Sequence, residues 1–489
     1  MKKLFVCVMA SLCSIFAFAD GADLVVKKTT IYYGNSGTMK VVINKANTTA
    51  FQFDMKLPAG ISVSAFGKET STRKFETALV DQNNNIWRFL SYDEKNAVLT
   101  AGTTYNITLK ATADAEAGKA GTEAILLVDP DGSPSEVENT PSANISLGAA
   151  IPIGSTGMTT YVCNSGLDFT NREEKAYIVS GIVGNNVFMT RVYKVPAGTP
   201  IVVKGTEGTH NLPGTVVSGI YYDNFLIGNN TDAAIEITPE GDDQFLRYTT
   251  NGFARFTSTK SVGAHKAYVR AKAKPAANTG SAQSVTIKSG NTTTSLCANV
   301  DLDFSNQTDI KAYIASGYNG SILITPVKKA SAGTPLYIKG TAGTYNIPSA
   351  AAQTVYANMM VGNNSENSIT INSTDGEYTN LIVSGNGCAT FSGTKSVSKH
   401  KSYIQVLSDY MPAASRGISD DSIVFGETEV ETLSVSLDSL GDSDDETTGI
   451  RSIDSQLTND IWYNLKGQRV DTPTKKGLYI KNGRKVVVK

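Results

Sequence analysis

Apolar and polar residues alternate with a period of two in many short runs of this chain. Phe51, Phe53, Met55 and Leu57 alternate with Gln52, Asp54 and Lys56, and Pro58-Ala59-Gly60 ends the run. Successive side chains of a strand point to opposite faces, so the pattern predicts a half-buried strand followed by a turn. Met39, Val41 and Ile43 begin a second such run. Ile86-Trp87-Arg88-Phe89-Leu90 and Tyr105-Asn106-Ile107-Thr108-Leu109 read likewise, and Ile125-Leu126-Leu127-Val128 predicts a short buried strand. No stretch here has a helical period. Several short strands at this spacing predict a β-sandwich over residues 23–147. The Ala-rich stretch Ala111–Ala124 is expected to be a loop or a single helical turn.

The middle of the chain repeats itself. Lys175-Ala176-Tyr177-Ile178 returns as Lys311-Ala312-Tyr313-Ile314, and Ala197-Gly198-Thr199-Pro200 as Ala332-Gly333-Thr334-Pro335. Lys204-Gly205-Thr206 returns as Lys339-Gly340-Thr341, Gly228-Asn229-Asn230 as Gly362-Asn363-Asn364, and Lys260-Ser261-Val262 as Lys395-Ser396-Val397. The offsets are 136, 135, 135, 134 and 135. A unit of that length can bury its own core, which predicts two tandem, self-contained β domains, 150–272 and 284–409, rather than a solenoid. Short strands are expected around Tyr177, Val202 and Tyr268, and around Tyr313, Tyr337 and Tyr403. Lys272–Gln283, with Pro275 and Gly280, reads as a short linker.

Composition adds an address. Of 489 residues, 18% are charged, below the roughly 25% usual for soluble proteins. The formal net charge is −1, so no global field favours nucleic acid or an anionic membrane. Residues 1–19 read as a secretory signal peptide: Lys2 and Lys3, an apolar run from Leu4 to Phe16, and the cleavage pattern Ala17-Phe18-Ala19. A membrane anchor is the alternative, but such a run spans only about 20 Å as a helix against a hydrocarbon core of about 30 Å. A lipoprotein signal at Cys13 would need a small residue where Leu12 stands. No later segment is long and apolar enough to span a bilayer. Removal of the signal leaves Cys163, Cys297 and Cys388. Cys163 and Cys297 read as equivalent, each about six residues before Phe169 or Phe304, and Cys388 aligns with Phe253; buried free thiols are expected.

Residues 411–449 carry ten acidic residues and one basic, which predicts a solvated, mostly disordered linker. The last segment, 450–489, reads as a small β meander. Ile461–Leu465 turns at Lys466-Gly467, and Leu478–Lys481 turns at Asn482-Gly483 into Arg484–Val488.

This ending, with Lys466-Gly467-Gln468-Arg469, Gly477-Leu478-Tyr479-Ile480 and a final Lys489, resembles the C-terminal sorting domain of the type IX secretion system of Bacteroidota. The resemblance covers about the last forty residues. It implies engagement of that machinery, passage across the outer membrane, removal of the tail, and release or attachment at the surface of a Gram-negative cell. The first module, on its Phe51–Gly60 strand and turn, resembles a cohesin-like or carbohydrate-binding-like β-sandwich. True cohesins bind dockerins; no partner-specific motif is carried over. The two copies resemble a module recurrent in secreted proteins of the same bacteria, with no established activity. Asp421-Ser422-Ile423 and Asp438-Ser439-Leu440 resemble the O-glycosylation acceptor of those bacteria.

Candidate chemistry is sparse. His265 and His400 are equivalent, each preceding Lys-x-Tyr (Lys266 and Tyr268, Lys401 and Tyr403). A repeated metal or acid–base site is one reading. The other, favoured because no second His or Cys sits at ligand spacing, is a turn residue before a strand. His210 becomes Tyr345 in the second copy, which fits packing. Asp129-Pro130-Asp131-Gly132 lacks the alternating oxygen ligands of a calcium loop and reads as a tight loop. Gly205–Thr209 and Gly340–Thr344 are glycine-rich but open no Lys-Ser/Thr helix, so hairpin turns are expected there. Asp168 and Asp303 read as turn or ladder-end residues rather than half of a glycosidase pair. There is no G-x-S-x-G elbow. No catalytic residue, cofactor or metal is expected. Tyr221, Tyr222 and Trp87 are the candidates for exposed aromatic contacts with a ligand. The expected role is non-catalytic binding or adhesion, with tandem modules presented to a glycan or a cell-surface protein. The alternatives are a structural spacer or filament component, and a glycan-active hydrolase.

Overall fold

The computed structural model describes residues 22–411 apart from 138–139 and 251. Beyond them it describes only the backbone of strands at 422–423, 425–426, 432–438, 462–463, 469–470, 477–481 and 484–488. The signal peptide with Ala17 and Ala19, the turn residues Asn482 and Gly483, and Lys489 lie outside the described residues, as do Asp421, Ser439 and Leu440. The protein is all-β. It divides into two compact units, one up to Ala150 with Asn211–Gly214, the other Ile151–His210 with Thr215 onward.

The first unit is a β-sandwich. One sheet runs in the order Leu24–Val26, Ser36–Ile43, Thr103–Ala111, Ile61–Phe66. The other contains Ser142–Ile153, Gly118–Val128, Ala50–Lys56, Ile86–Asp93 and Arg73–Asp81 in that order. The alternation read from the sequence sets the faces: Met39, Val41, Ile43, Phe51, Phe53, Met55, Phe89, Ile107 and Leu109 are all buried. Phe51 meets Tyr105 of the opposite sheet at 5.2 Å between ring centroids, and Phe66 meets Phe89 at 5.0 Å. Aromatic pairs at this spacing add to simple burial. On the outer face Asp54 and Arg88 are cross-strand partners and form a two-pronged ion pair at 2.8 Å. The Ala-rich stretch differs from expectation. After a turn at 113–114 it becomes the start of the strand Gly118–Val128. Asp129–Gly132 is the expected tight loop, closed by Gly132 N–H to Asp129 O at 2.9 Å.

In the second unit each copy has the same two sheets. In the first copy these are Met158–Tyr161, Ile201–Lys204, Lys175–Val183, Asn186–Val192, and Gly252–Arg255, Gln244–Thr249, Lys266–Ala271, Leu226–Asn229. In the second they are Thr293–Cys297, Pro335–Gly340, Ile310–Tyr318, Ile322–Val327, and Gly387–Ala389, Tyr378–Ser384, Lys401–Leu407, Met360–Asn363. Each copy has its own buried clusters, around Tyr177, Val202 and Leu246 in one and around Ile314, Leu336 and Ile338 in the other.

The copies are nevertheless not independent beads. Tyr221–Tyr222 of the first copy pairs with Tyr318 and Gly317 of the second. Thr354–Tyr356 of the second copy pairs with Val183, Ile182 and Gly181 of the first. The exchange is reciprocal down to single bonds: Asp223 N–H donates to Ser316 O at 2.9 Å and Ala357 N–H to Ser180 O at 3.0 Å. Thr190 Oγ1 lies 3.1 Å from Thr325 Oγ1, its own equivalent. A residue that touches its counterpart marks a two-fold relation, so the copies are joined about an approximate two-fold axis. Self-contained modules were expected because each copy is long enough to fold alone. The exchanged strands are too short for sequence to show which copy they join.

The acidic segment also differs from the expected disordered linker where it is described. Thr432–Asp438 lies antiparallel to Asn186–Val192 and parallel to Gly252–Arg255, joining the two sheets of the first copy. Phe425–Gly426 pairs with Ile322–Leu323, and Ser422–Ile423 with Cys388–Ala389, at the equivalent place in the second copy. The tail forms the expected meander, in the order Arg469–Val470, Trp462–Tyr463, Gly477–Lys481, Arg484–Val488. Lys481 sits opposite Arg484, as a two-residue hairpin connection requires. The glycine-rich segments are turns, but not hairpins. Pro335–Gly340 pairs with Thr293–Cys297 and Ile310–Tyr318, whereas Gly343–Ile347 pairs with Gln283–Ile287, so the chain changes sheets.

Candidate functional site: twin clefts

The same cleft is built once in each copy. The first, about 340 Å³, lies between the edge strand Met158–Tyr161 and the second sheet, with Thr159, Thr160, Arg247, Tyr248, Ser261 and Lys266 among its walls. The second, about 270 Å³, has Thr294, Ser295, Ile382, Val383, Ser396 and Lys401 at the positions 135 residues on. The repeated nonapeptide K-S-V-x-x-H-K-x-Y, Lys260–Tyr268 and Lys395–Tyr403, forms one wall of each.

Backbone geometry explains the motif. His265 and His400 both have φ of 56°, the left-handed region that terminates a turn. Lys266 N–H bonds back to Gly263 O at 3.2 Å, and Lys401 N–H to Ser398 O at 3.3 Å. Each histidine is therefore the turn residue that starts the last strand and aims the following lysine at the cleft. His265 Nδ1 lies 3.2 Å from Val162 O, and its ring stacks on Tyr161. Among the described residues no group of three or more His, Cys, Asp or Glu could hold a metal ion.

Each lysine donates to a threonine hydroxyl. Lys266 Nζ donates to Thr159 Oγ1 at 2.6 Å. Lys401 Nζ donates to Thr294 Oγ1 at 2.8 Å and to Ser295 O at 3.0 Å. Thr160 Oγ1 and Ser295 Oγ play one role in both copies, accepting the backbone N–H of Ala267 and Ser402 at 3.1 Å. Burial, and then the nearby positive charge of Lys288, hold Lys401 below the usual range of a lysine. Among the described residues the lining of neither cleft includes an Asp or Glu.

The other singled-out residues are placed as follows. Tyr221 and Tyr222 are half-buried in the strand exchange. Tyr221 packs on Tyr410, its rings 5.6 Å apart, and burial pushes its hydroxyl up to about 12. Tyr222 donates to Lys194 O at 2.7 Å, as its counterpart Tyr356 does to Lys329 O at 2.8 Å. These rings serve packing between copies. Trp87 is half-buried at the end of its strand, with Nε1 donating to Asn85 Oδ1 at 2.9 Å. Asp168 and Asp303 are ladder-end residues that accept the N–H of Thr170 and Ser305 at 2.8 Å. His210 lies between Glu174 Oε1, at 2.6 Å, and Thr206 O, and Tyr345 reaches the equivalent Thr341 O. Gly477 lies in the tail strand Gly477–Lys481.

Cys163, Cys297 and Cys388 are buried free thiols. The pairing of the first two is corrected by one residue. Cys297 N–H bonds to His400 O as Val162 N–H bonds to His265 O, so Cys297 matches Val162, and Cys163 matches Ala298. A one-residue slip in an extended segment turns the side chain to the other face, so the two thiols occupy different environments.

No protein-family model matches the chain, and no curated protein does. Cohesins are among the solved structures that it resembles. One is the cohesin module of a Clostridium perfringens family 33 glycoside hydrolase, at 11% identity and TM-score 0.22, covering 26% of this chain and 96% of that one. Another is the type I cohesin–dockerin complex of Clostridium thermocellum, at 12% identity and TM-score 0.21, with coverage of 25% and 97%. A third is a non-cellulosomal cohesin from Archaeoglobus fulgidus, at 16% identity and TM-score 0.20, with coverage of 25% and 91%.

Proposed function

We propose that this is an exported, non-catalytic binding protein of the outer cell surface whose twin clefts each take a unit of a glycan. The observation that carries the reading is the recurrence of one cleft, at a constant offset, with its lysine, hydroxyls and turn intact. Scaffold alone would keep the buried positions of the repeat; here the exposed Ser261 and Ser396 and the half-buried Lys266 and Lys401 are kept as well. A concave wall of hydroxyls with cationic donors suits saccharide hydroxyls, which both donate and accept. Two weak sites on one chain raise avidity for a repeating ligand. The signal-like residues 1–19 and the sorting-like tail supply the address. Among the described residues no helix is long and apolar enough to cross a membrane.

The test is a glycan array probed with the mature chain, beside the double variant Lys266→Met and Lys401→Met. Binding by the first and not the second is expected. Failure of the mature chain to bind any glycan on the array would remove this reading. A spacer role is favoured by one observation, the edge strand Arg73–Asp81 with Leu79 and Val80 exposed. It predicts concentration-dependent self-association in light scattering.

A further inference from the structure

Resting on that reading, we infer that the clefts select negatively charged saccharides, uronic acids or sulfated sugars, over neutral ones. One lysine is common to both clefts, Lys266 and Lys401. Each cleft also has a second cation, and it comes from a different wall in each copy. Arg247 stands in the first copy where the second has Ile382. Lys288 stands in the second copy where the first has Gly154. That last equivalence is fixed by the turns they open, closed by Gly157 N–H to Gly154 O and by Asn291 N–H to Lys288 O, both 3.0 Å. Scaffold requirements act on positions and would have kept the same position cationic. What is kept is two cations per cleft, and the requirement is therefore on the charge of the space.

The energetics agree. Lys401 is held by a hydroxyl and a carbonyl, with a second cation close enough to disfavour its charged form. A like charge beside a half-buried lysine is costly even when, as for Lys288, it is exposed, and a bound anion relieves it. The exposed Ser261 and Ser396 and the half-buried Thr294 then serve the sugar hydroxyls, which separates this site from one for an acidic peptide.

Titration calorimetry of the mature chain tests the inference, with a galacturonic acid trisaccharide, a heparin hexasaccharide and a neutral galactose trisaccharide as probes. The expected result is two sites per chain for an acidic probe, with the neutral probe at least about tenfold weaker. Acidic binding should also weaken about tenfold between 0.05 and 0.5 M salt, as a screened ion pair does. Lys266→Met or Lys401→Met should each leave one site. Because those lysines also hold the fold, Arg247→Met and Lys288→Met form a second pair, expected to weaken acidic binding by a larger factor than neutral binding. Equal affinity for acidic and neutral sugars, lost in the double lysine variant, would overturn charge selection and leave the glycan-binding reading standing. Acidic binding unchanged in both variant pairs would place the ligand elsewhere and overturn the assignment. Two-site binding of a glutamate oligopeptide, and of no sugar, would overturn the ligand class together with the glycan reading.

Discussion

Gly181 and Gly317 are the most direct probes of the strand exchange. They are equivalent, each follows a break in strand register, and each faces the strand donated by the other copy. A Cβ on Gly181 would lie 2.5 Å from Tyr356 Cδ1 and 3.0 Å from Val355 O. On Gly317 it would lie 2.5 Å from Tyr221 O and 2.9 Å from Tyr222 Cδ1. A ring edge can swing, whereas a carbonyl oxygen moves only with its backbone, so Gly317→Ala is expected to cost more than Gly181→Ala. Overpacking of this kind costs about 1–3 kcal/mol. At roughly 2–4 °C per kcal/mol for a unit of this size, the midpoint should fall by about 2–12 °C. Gly154→Ala is the control, with nothing within 4 Å of its Cβ. Thermal unfolding followed by circular dichroism reads the shift. A protease site inserted between 273 and 282 of a chain shortened after Met411, so that Thr432–Asp438 cannot tether the halves to one another, reads the exchange itself: the cut wild type should elute as one particle, and cut Gly317→Val should separate into halves. If Gly181→Ala and Gly317→Ala melt like Gly154→Ala and the cut halves of Gly317→Val stay together, the exchange is not as close as described.

Other consequences are measurable. Burial lifts the carboxyl of Asp223, at the exchange, to about 6 from an ordinary 3.8. The folded protein then holds a proton that the unfolded chain has released, so this group's contribution is present below about pH 4 and lost as pH rises through 6. Asp223→Asn should flatten urea-unfolding stability across that window and gain at most about 3 kcal/mol at pH 7. Asn229 Nδ2 bonds the carbonyls of Ala233, Val262 and Gly263, and Asn363 Nδ2 those of Asn367, Val397 and Ser398, all within 2.9–3.1 Å. Asn229→Ala and Asn363→Ala should each cost about 1–3 kcal/mol by leaving buried carbonyls unmet, with similar loss in both copies by chemical denaturation. On the two-fold axis, Ser180, Thr190, Thr325 and Ser316 form a buried hydroxyl ladder with links of 2.7, 3.1 and 2.9 Å. Thr190→Val and Thr325→Val should be non-additive, the double variant losing less than the sum by about 0.5–1.5 kcal/mol in a double-mutant cycle.

The strands were legible because burial on one face imposes a period of two, as at Phe51–Leu57. The repeat was legible because turns and pegs such as Gly228-Asn229-Asn230 tolerate little change. The exchange was not. Tyr221–Tyr222 is an extended pair whichever copy lies beside it, and backbone bonds carry no residue code. The one-residue offset of the cysteines is visible in the chain, since Cys163 and Cys297 stand six and seven residues before Phe169 and Phe304. The acidic segment concealed a strand for a different reason. Thr432-Leu433-Ser434-Val435-Ser436-Leu437-Asp438 alternates strictly, but a charge balance taken over the whole segment hid it. The clefts were half legible. Lys260-Ser261-Val262 and His265-Lys266-x-Tyr268 were each recognised as repeated, yet only the fold shows that together they make one wall.

Exchange and binding are connected through geometry. Two clefts on beads joined by Lys272–Gln283 would sample many separations, and a long glycan would find them at an effective concentration set by that linker. Two clefts joined about an axis by reciprocal strands have one separation. A polymer whose charged units match it gains avidity, and one that does not match gains nothing. On the proposed binding, the exchange would act as a length filter in series with the charge filter of each cleft. The two are separable, because loosening the exchange leaves each cleft intact. Gly317→Ala should keep the affinity of each site for an acidic trisaccharide while lowering that for a long acidic chain. A variant that lost both equally would show that the clefts depend on the axis for their shape, not only for their spacing.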